Sequence, residues 1–195
     1  MRADFDDPVL AQIAATVPLP PLDASGDVFH DLVGCLLEQQ HPARSTKRTF
    51  ERLLDRAGLE RLTVTEADRF EAEALPHATL SARKREAWAA AVDAFRADAP
   101  DWTALPDDDV RDRLGAIHGV GTWTVDMILL FTLGRPDVFP ADDYHLKQAM
   151  MARYGLEDRG LKRAMRDVAE GWRPHRSLGV RHLLAWKDWP QEALR

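Results

Sequence analysis

The chain has 195 residues, of which 45% are hydrophobic and 30% charged, a composition typical of a globular protein. It contains no run of about 20 apolar residues, which argues against a membrane-spanning helix, and its acidic N-terminus does not match a secretory signal. The single cysteine, Cys35, excludes an intramolecular disulfide and any four-cysteine metal or iron–sulfur site. We therefore expect a cytoplasmic protein that has neither a metal nor a cofactor.

The formal net charge of −6 argues mildly against nucleic acid as the partner. Phosphate contacts need only one basic face, however, and the basic residues of this chain are unevenly spread. They gather in the stretches "HPARSTKRTFER", "SARKREAW" and "WRPHRSLGVRH". The net charge therefore leaves a nucleic-acid partner open.

Apolar residues recur at helical spacing along most of the chain, and few segments alternate with period two. After an extended lead-in at "VPLPPLD", helices are expected at 29–37, 45–54, from 65 onward, 81–95, 107–114, 122–133, from 142 or 143 to 153, 161–172 and 177–186. This pattern predicts a compact all-α fold.

Gly119 and Gly121 separate two of these expected helices, so the local pattern is helix–hairpin–helix. Glycine permits positive φ and lets a foreign backbone approach closely. The first amides of the second helix point outward, where the helix dipole adds positive potential. Gly119, Val120, Gly121 and Thr122 thus predict a phosphate site that needs no lysine, with a tightly packed helix joint as the equally good alternative.

Two adjacent carboxylates, Asp142 and Asp143, begin a later expected helix. Acids before a helix are usually caps, and one of these is expected to be one. A carboxylate beside a phosphate-binding hairpin has a further use, since it can stabilise positive charge on a sugar and orient water during glycosidic-bond cleavage.

Five stretches, taken together and in this order, resemble the helix–hairpin–helix superfamily of DNA glycosylases, and more narrowly its 3-methyladenine DNA glycosylase II (AlkA-type) branch. They are "CLLEQQHPARS", "LSARKREAW", "IHGVGTWTVDMILLF", "VFPADDYHLKQ" and "WRPHRSLGVRHLLAW". The resemblance implies a two-lobed helical fold and an enzyme that flips a damaged nucleotide out of duplex DNA before cleaving its glycosidic bond.

The resemblance also assigns roles near the two acids and the hairpin. The second acid of the segment is the catalytic one in this family, which implies that Asp143 is catalytic and that Asp142 is the supporting cap. Bifunctional relatives carry a Schiff-base lysine where this chain has Trp123, and tryptophan cannot form that imine. The implied enzyme is a monofunctional glycosylase that removes N3- or N7-alkylated purines and leaves an abasic site.

The base pocket implied by the resemblance is lined by Trp123, Met127, Tyr144 and His175. The branch has bulky aromatic residues at the positions of Met127 and His175, so this pocket is less aromatic and its substrate range is open. Core packing is nearly as good an account of Trp123, and a solvated helix start is an ordinary place for His175.

Further DNA contacts follow from motif position. Gln40 or His41 would fill the gap left by the flipped base, and Arg83 and Lys84 would contact the backbone, with a solvated helix end or face as the alternative in each case. Arg176 would either contact DNA or support the surroundings of Asp143, and the sequence favours neither.

The expected organisation is a lead-in at 1–26, one glycosylase domain at 27–189 made of two helical subdomains that share a cleft, and a tail at 190–195. The β-containing N-terminal domain of the AlkA-type enzyme has no expected counterpart in the lead-in. We expect a monomer whose partner is double-stranded DNA with damaged bases, and no membrane partner.

Three alternatives remain at the level of sequence. The same fold could act on another damaged base, such as uracil, hypoxanthine or 1-methyladenine. A non-catalytic helix–hairpin–helix lesion sensor would use the hairpin but would gain nothing from a carboxylate near phosphates. An all-α protein unrelated to DNA would fit the acidic net charge and would show no salt-dependent duplex binding.

Overall fold

The computed structural model describes residues 6–22, 24–38 and 43–189, and the secondary structure of these residues is helical, which confirms the predicted all-α fold. Ten α-helices occur in the described chain: α1 (Pro8–Thr16), α2 (Val28–Glu38), α3 (Ala43–Arg56), α4 (Ala67–Glu73), α5 (Ala82–Ala97), α6 (Asp107–Gly115), α7 (Thr122–Met127), α8 (Tyr144–Tyr154), α9 (Leu161–Glu170) and α10 (Arg176–Asp188). Short 3₁₀ turns at Val64–Glu66 and Leu75–His77 flank α4, and a π-helical turn at Ile128–Thr132 continues α7.

The chain divides into two compact units. Residues Ala24–Leu133, with α2 to α7, form the unit that contains the Gly119–Gly121 turn, and it is called the hairpin unit below. Met1–Asp23 and Gly134–Arg195, with α1 and α8 to α10, form the unit that contains Asp143, called the aspartate unit. The N-terminal segment is thus part of the same unit as the last three helices.

Aromatic side chains build the core of the hairpin unit. Ser81 caps α5 by accepting a hydrogen bond from the Lys84 amide at 3.3 Å, and the apolar face of α5 places Trp88 and Phe95 inward, 4% and 5% exposed. The Phe95 ring lies 5.2 Å from that of Phe29 and stacks on Trp102 at 5.3 Å between centroids. This packing joins α2 to α5, the helix against which Gly119 of the hairpin turn packs.

Helix α1 in the aspartate unit was not expected from the sequence. Asp7 caps it through hydrogen bonds from the Val9 and Leu10 amides, and Pro8 occupies the first helical position, where its missing N–H costs nothing. The other Asp7 oxygen accepts hydrogen bonds from the Tyr154 hydroxyl and the Trp172 indole, both at 2.9 Å. The sequence signal for this helix was an aspartate followed by a proline. The Asp7 side chain attaches α1 to Tyr154 and Trp172 of the same unit.

Candidate functional site

The turn between α6 and α7 is anchored by apolar side chains and a backbone hydrogen bond. Ile117 and Val120 are buried, and the Val120 amide donates to the Ile117 carbonyl at 3.0 Å. Gly121 is the N-cap of α7, and because it has no side chain, no side-chain cap closes the first turn of that helix. Thr122, next to it, is exposed. Val120 therefore stabilises the turn through both its side chain, which belongs to the core, and its amide, which is already paired.

The two glycines of this turn have different structural roles. Gly119 has φ of +87°, and a Cβ there would clash with the Cβ of Ala87 on α5 and lie 3.3 Å from its Cα. Gly121 has an extended backbone with φ of −99°, and a Cβ on it would meet nothing within 4 Å. Gly119 is thus required by the chain's own packing, whereas the fold makes no such demand at Gly121.

An ion pair holds the two hairpin helices together, and the sequence patterns did not indicate it. Asp126 on α7 is 5% exposed, and one of its carboxylate oxygens accepts a hydrogen bond from Nη1 of Arg111 on α6 at 2.6 Å. A buried carboxylate needs such a partner, because leaving it uncompensated is costly. The pair sits one turn beyond Trp123 and joins α6 to α7.

The two pocket candidates on α7 differ in exposure. Trp123 is half-buried, and Met127 is buried with 8% of its surface exposed. Among the candidate backbone contacts, Arg83 is exposed, whereas the Lys84 ammonium donates to the Leu37 carbonyl at the end of α2 at 2.7 Å. Burial lowers the pKa of Lys84. The wedge candidates Gln40 and His41 lie outside the described residues.

Asp143 is the N-cap of α8, which corrects the expectation that Asp142 would be the cap. Its backbone is extended, its Oδ1 accepts a hydrogen bond from the Leu146 amide at 2.7 Å, and the residue is 6% exposed. The Asp143 amide donates to the Pro140 carbonyl at 2.9 Å. The carboxylate is therefore held at a defined place at the start of α8.

Asp142 instead points to basic side chains. It pairs with Lys162 on α9, and its Oδ1 lies 3.7 Å from the ammonium of Lys147. The hydrogen bond from Lys162 lowers the pKa of Asp142, and the charges of Lys162, Lys147 and Arg166 add to this effect against the opposing effect of burial. Asp142 thus links the start of α8 to α9.

The start of α10 holds the segment that leads to Asp143. Arg176 donates two hydrogen bonds to the Asp137 carboxylate, from Nε to Oδ1 at 2.7 Å and from Nη2 to Oδ2 at 2.9 Å. Burial raises the pKa of Asp137, but the hydrogen bonds from Arg176, together with the charges of Arg176 and Arg173, outweigh it and hold the pKa below its ordinary value. Sequence reasoning singled out Arg176 but did not identify Asp137 as its partner.

The remaining pocket candidates lie at the surface of the aspartate unit. Tyr144 is 66% exposed, with its ring 5.4 Å from that of His145 in an edge-on arrangement. His175 is also exposed and is the N-cap of α10, without a side-chain cap hydrogen bond. Asp143, Tyr144 and His175 therefore belong to one unit, and Trp123 and Met127 to the other.

No helix in the described ranges is long and apolar enough to cross a membrane. Among the same residues, no group of three or more His, Cys, Asp or Glu side chains is placed to hold a metal ion.

Sequence comparisons find relatives among DNA repair enzymes, although no protein-family model matches the chain. Over 84 residues, 43% of this chain and 29% of the relative, it is 34% identical to the putative DNA-3-methyladenine glycosylase YfjP of Bacillus subtilis. It is 39% identical over 80 residues, 41% of this chain and 16% of the relative, to the probable bifunctional transcriptional activator/DNA repair enzyme AlkA of Mycobacterium tuberculosis. The aligned part spans less than a third of either relative's length.

The fold matches over a larger share. The structure of the Schizosaccharomyces pombe 3-methyladenine DNA glycosylase Mag1, solved in complex with abasic DNA, superposes with a TM-score of 0.78 at 23% identity. The match covers 90% of this chain and 87% of that one. The arrangement of helices around the hairpin and around Asp143 is therefore shared with a known fold rather than particular to this chain.

Proposed function

We propose that this chain belongs to the helix–hairpin–helix superfamily of DNA glycosylases, near its 3-methyladenine branch, and that it is a monofunctional glycosylase acting on alkylated purines in duplex DNA. One observation carries the proposal: a buried carboxylate, Asp143, is held at the start of α8 within a fold shared with a glycosylase that was solved on abasic DNA. The similarity to a putative DNA-3-methyladenine glycosylase supports 3-methyladenine-type bases as the substrate class. The enzyme is expected to act as a monomer on chromosomal DNA in the cytoplasm.

The proposed reaction breaks the bond between C1′ and N9 of a flipped purine, and the bonding electrons leave with the base. Alkylation makes the base cationic, so it departs as a neutral molecule and positive charge develops on the sugar. Asp143 stabilises that charge and orients the water whose oxygen bonds to C1′, while one proton of that water passes to bulk solvent. The products are a free base and an abasic site.

Lyase activity is not expected from this chain. A Schiff base requires an amine, and Trp123 stands at the position where bifunctional relatives carry the lysine. Trp123, with its half-buried ring, and Tyr144, with its exposed one, are the proposed faces for the flipped base. Met127 in the hairpin unit and His175 in the aspartate unit are further proposed contacts for the base, and the backbone from Gly119 to Thr122 is the proposed phosphate contact.

The first experiment measures free bases released from methylated duplex DNA by wild type, Asp143→Asn and Asp142→Asn under single-turnover conditions. Asparagine is as good an N-cap as aspartate, so Asp143→Asn keeps the hydrogen bond to Leu146 and removes only the charge. We expect base release to fall by about 10²- to 10³-fold or more, as when other preorganised charge-stabilising groups are removed. Asp142→Asn, which alters the exposed neighbouring acid, should release bases at close to the wild-type rate.

The outcomes separate the alternatives. Release of methylated purines by wild type that persists in Asp143→Asn would remove Asp143 from the mechanism but keep the enzyme. Duplex binding without any release by wild type would favour a lesion sensor or a different damaged base. Strand breaks that form before alkali treatment would contradict the monofunctional assignment.

A further inference from the structure

The segment that leads to Asp143, residues 135–142, contains neither helix nor strand, so its path depends on the contacts it makes. At its end, Asp143 is fixed by its own cap on α8. At its beginning, the contacts come from the start of α10. The three residues that make this second attachment, Asp137, Arg176 and Ser177, are called the Asp137 clamp.

Arg176 makes four contacts to one residue. Besides the two side-chain hydrogen bonds to the Asp137 carboxylate, its Nη2 donates to the Asp137 carbonyl at 2.9 Å and its backbone amide donates to Oδ1 at 3.3 Å. The Arg176 side chain is 19% exposed. Its planar fork thus matches both the carboxylate and the backbone of Asp137, a geometry that a lysine ammonium cannot reproduce.

Ser177 attaches the same segment from the buried side. Its hydroxyl donates to the Arg135 carbonyl at 2.6 Å and accepts from the Val138 amide at 2.9 Å, and its own amide donates to the Pro136 carbonyl at 3.0 Å. Ser177 is 5% exposed and Val138 is fully buried. Because Val138 is fully buried, the serine hydroxyl is needed to satisfy its amide.

We infer that Arg176 and Ser177 are positioning residues for Asp143, and that Arg176 acts through Asp137 rather than by contact with a DNA phosphate. The inference rests on the proposed function for its kinetic test. Base release should slow steeply when the Asp143 carboxylate is displaced from the charge that develops on the sugar. The clamp fixes the start of the segment that leads to Asp143. Nε and Nη2 of Arg176 already donate hydrogen bonds to Asp137.

The kinetic test compares Arg176→Ala, Arg176→Lys, Asp137→Asn and the double variant of Arg176→Ala with Asp137→Asn. The single-turnover rate of base release should fall about 10- to 100-fold in each, and the double variant should be no worse than either single one. The dissociation constant for duplex DNA and its salt dependence should stay within about twofold of wild type. Arg173→Ala is the matched control, because Arg173 contacts the same carboxylate at 2.9 Å from a half-exposed position, and it should lose little rate.

A phosphate contact would give the opposite pattern. Arg176→Ala would then weaken duplex binding, reduce the slope of log affinity against log salt by about one, and be largely rescued by lysine. Asp137→Asn would not reproduce that effect. Either this binding pattern or additive losses of rate in the double variant would overturn the inference.

A second measurement does not depend on catalysis. The side-chain carboxyl carbon of Asp143 is observed by NMR in aspartate-labelled protein and is assigned by its loss in Asp143→Asn. Its resonance should shift or split in Arg176→Ala and Ser177→Ala, and stay unchanged in Ile13→Val, a mild substitution in the core of the same unit. If wild type releases no base, the proposed function fails while this measurement still decides the positioning role, and an unmoved resonance in both clamp variants overturns it.

Discussion

In the hairpin unit the candidate contact is a stretch of backbone, whereas in the aspartate unit the candidate catalytic group is a side chain held by other side chains. The hairpin turn depends on Gly119, which fits against Ala87, and on an N-cap, Gly121, that has no side chain. The place of Asp143 depends on its own cap and on the Asp137 clamp. The candidate contact of the hairpin unit is one short stretch of chain, whereas the Asp137 clamp joins positions about 40 residues apart.

This difference predicts different responses to substitution. A backbone site tolerates most side-chain changes and is sensitive where a Cβ would intrude, because the amides themselves carry the function. A side-chain site is sensitive at each member of its network, because losing one partner leaves another buried group unsatisfied. The contrast between the two sites can be tested by measuring unfolding and duplex binding of single variants.

The largest expected effect is the loss of stability in Gly119→Ala. The positive φ and the clash with Ala87 together should lower the free energy of unfolding by about 2–4 kcal/mol. Denaturant unfolding of wild type and variant measures this difference. A loss below about 1 kcal/mol would show that α5 moves aside easily, and the hairpin would then not be a rigid backbone site.

Gly121→Ala should leave stability within about 0.5 kcal/mol of wild type, since its Cβ would meet open space. If a phosphate approaches this backbone, the added methyl group should weaken duplex binding about tenfold, the equivalent of one lost hydrogen bond to a charged group. Gly115→Ala is the matched control, because Gly115 ends α6 and its Cβ would also meet nothing within 4 Å. Equal affinity of both variants and wild type in a fluorescence-anisotropy titration would remove Gly121 from the DNA contact.

In the aspartate unit, Asp143→Ala should lower the free energy of unfolding by about 1 kcal/mol, whereas Asp143→Asn should leave it within about 0.5 kcal/mol. Alanine deletes the acceptor of the Leu146 amide at the start of α8, and asparagine keeps it. Thermal unfolding of the two variants separates capping from catalysis. Equal stability of the alanine and asparagine variants would mean that Oδ1 does not support the helix.

Local signals predicted the hairpin well, because its pattern of helix, glycine turn and helix is contiguous in sequence. The same locality failed to assign the acids: Asp142 and Asp143 are adjacent acids, and their roles differ because Lys162 on α9 pairs with Asp142. Asp126, Asp137 and Ser177 were missed for a related reason. Their roles exist only through partners on another helix or segment, and no spacing rule in a single sequence records such a pairing.

A histidine of each unit has its pKa lowered by burial: His30, which is half-buried, and His182, which is buried. In the hairpin unit, Nδ1 of His30 accepts a hydrogen bond from the Leu62 amide at 3.0 Å, so the neutral ring is the one that fits. Burial lowers the pKa of His30, and the charge of Arg61 also lowers it, against the opposing effects of Asp31 and Asp27. In the aspartate unit, burial and then the charge of Arg181 lower the pKa of His182.

The smallest expected effect is a fall in stability with acidification that is shared between the two units. Because the folded-state pKa of each histidine lies below its ordinary value of 6.5, the unfolded chain binds more protons in that interval. The free energy of unfolding should therefore have its full value above pH 6.5, and it should decrease as the pH falls from that value toward the folded-state pKa. Denaturant unfolding at a series of pH values from about 7.5 to 5.5 should show a smaller decrease in His30→Gln and in His182→Gln than in wild type. His77→Gln, at an exposed position, should leave the decrease as it is. An unchanged decrease in both the His30 and the His182 variants would assign the acid sensitivity to other groups.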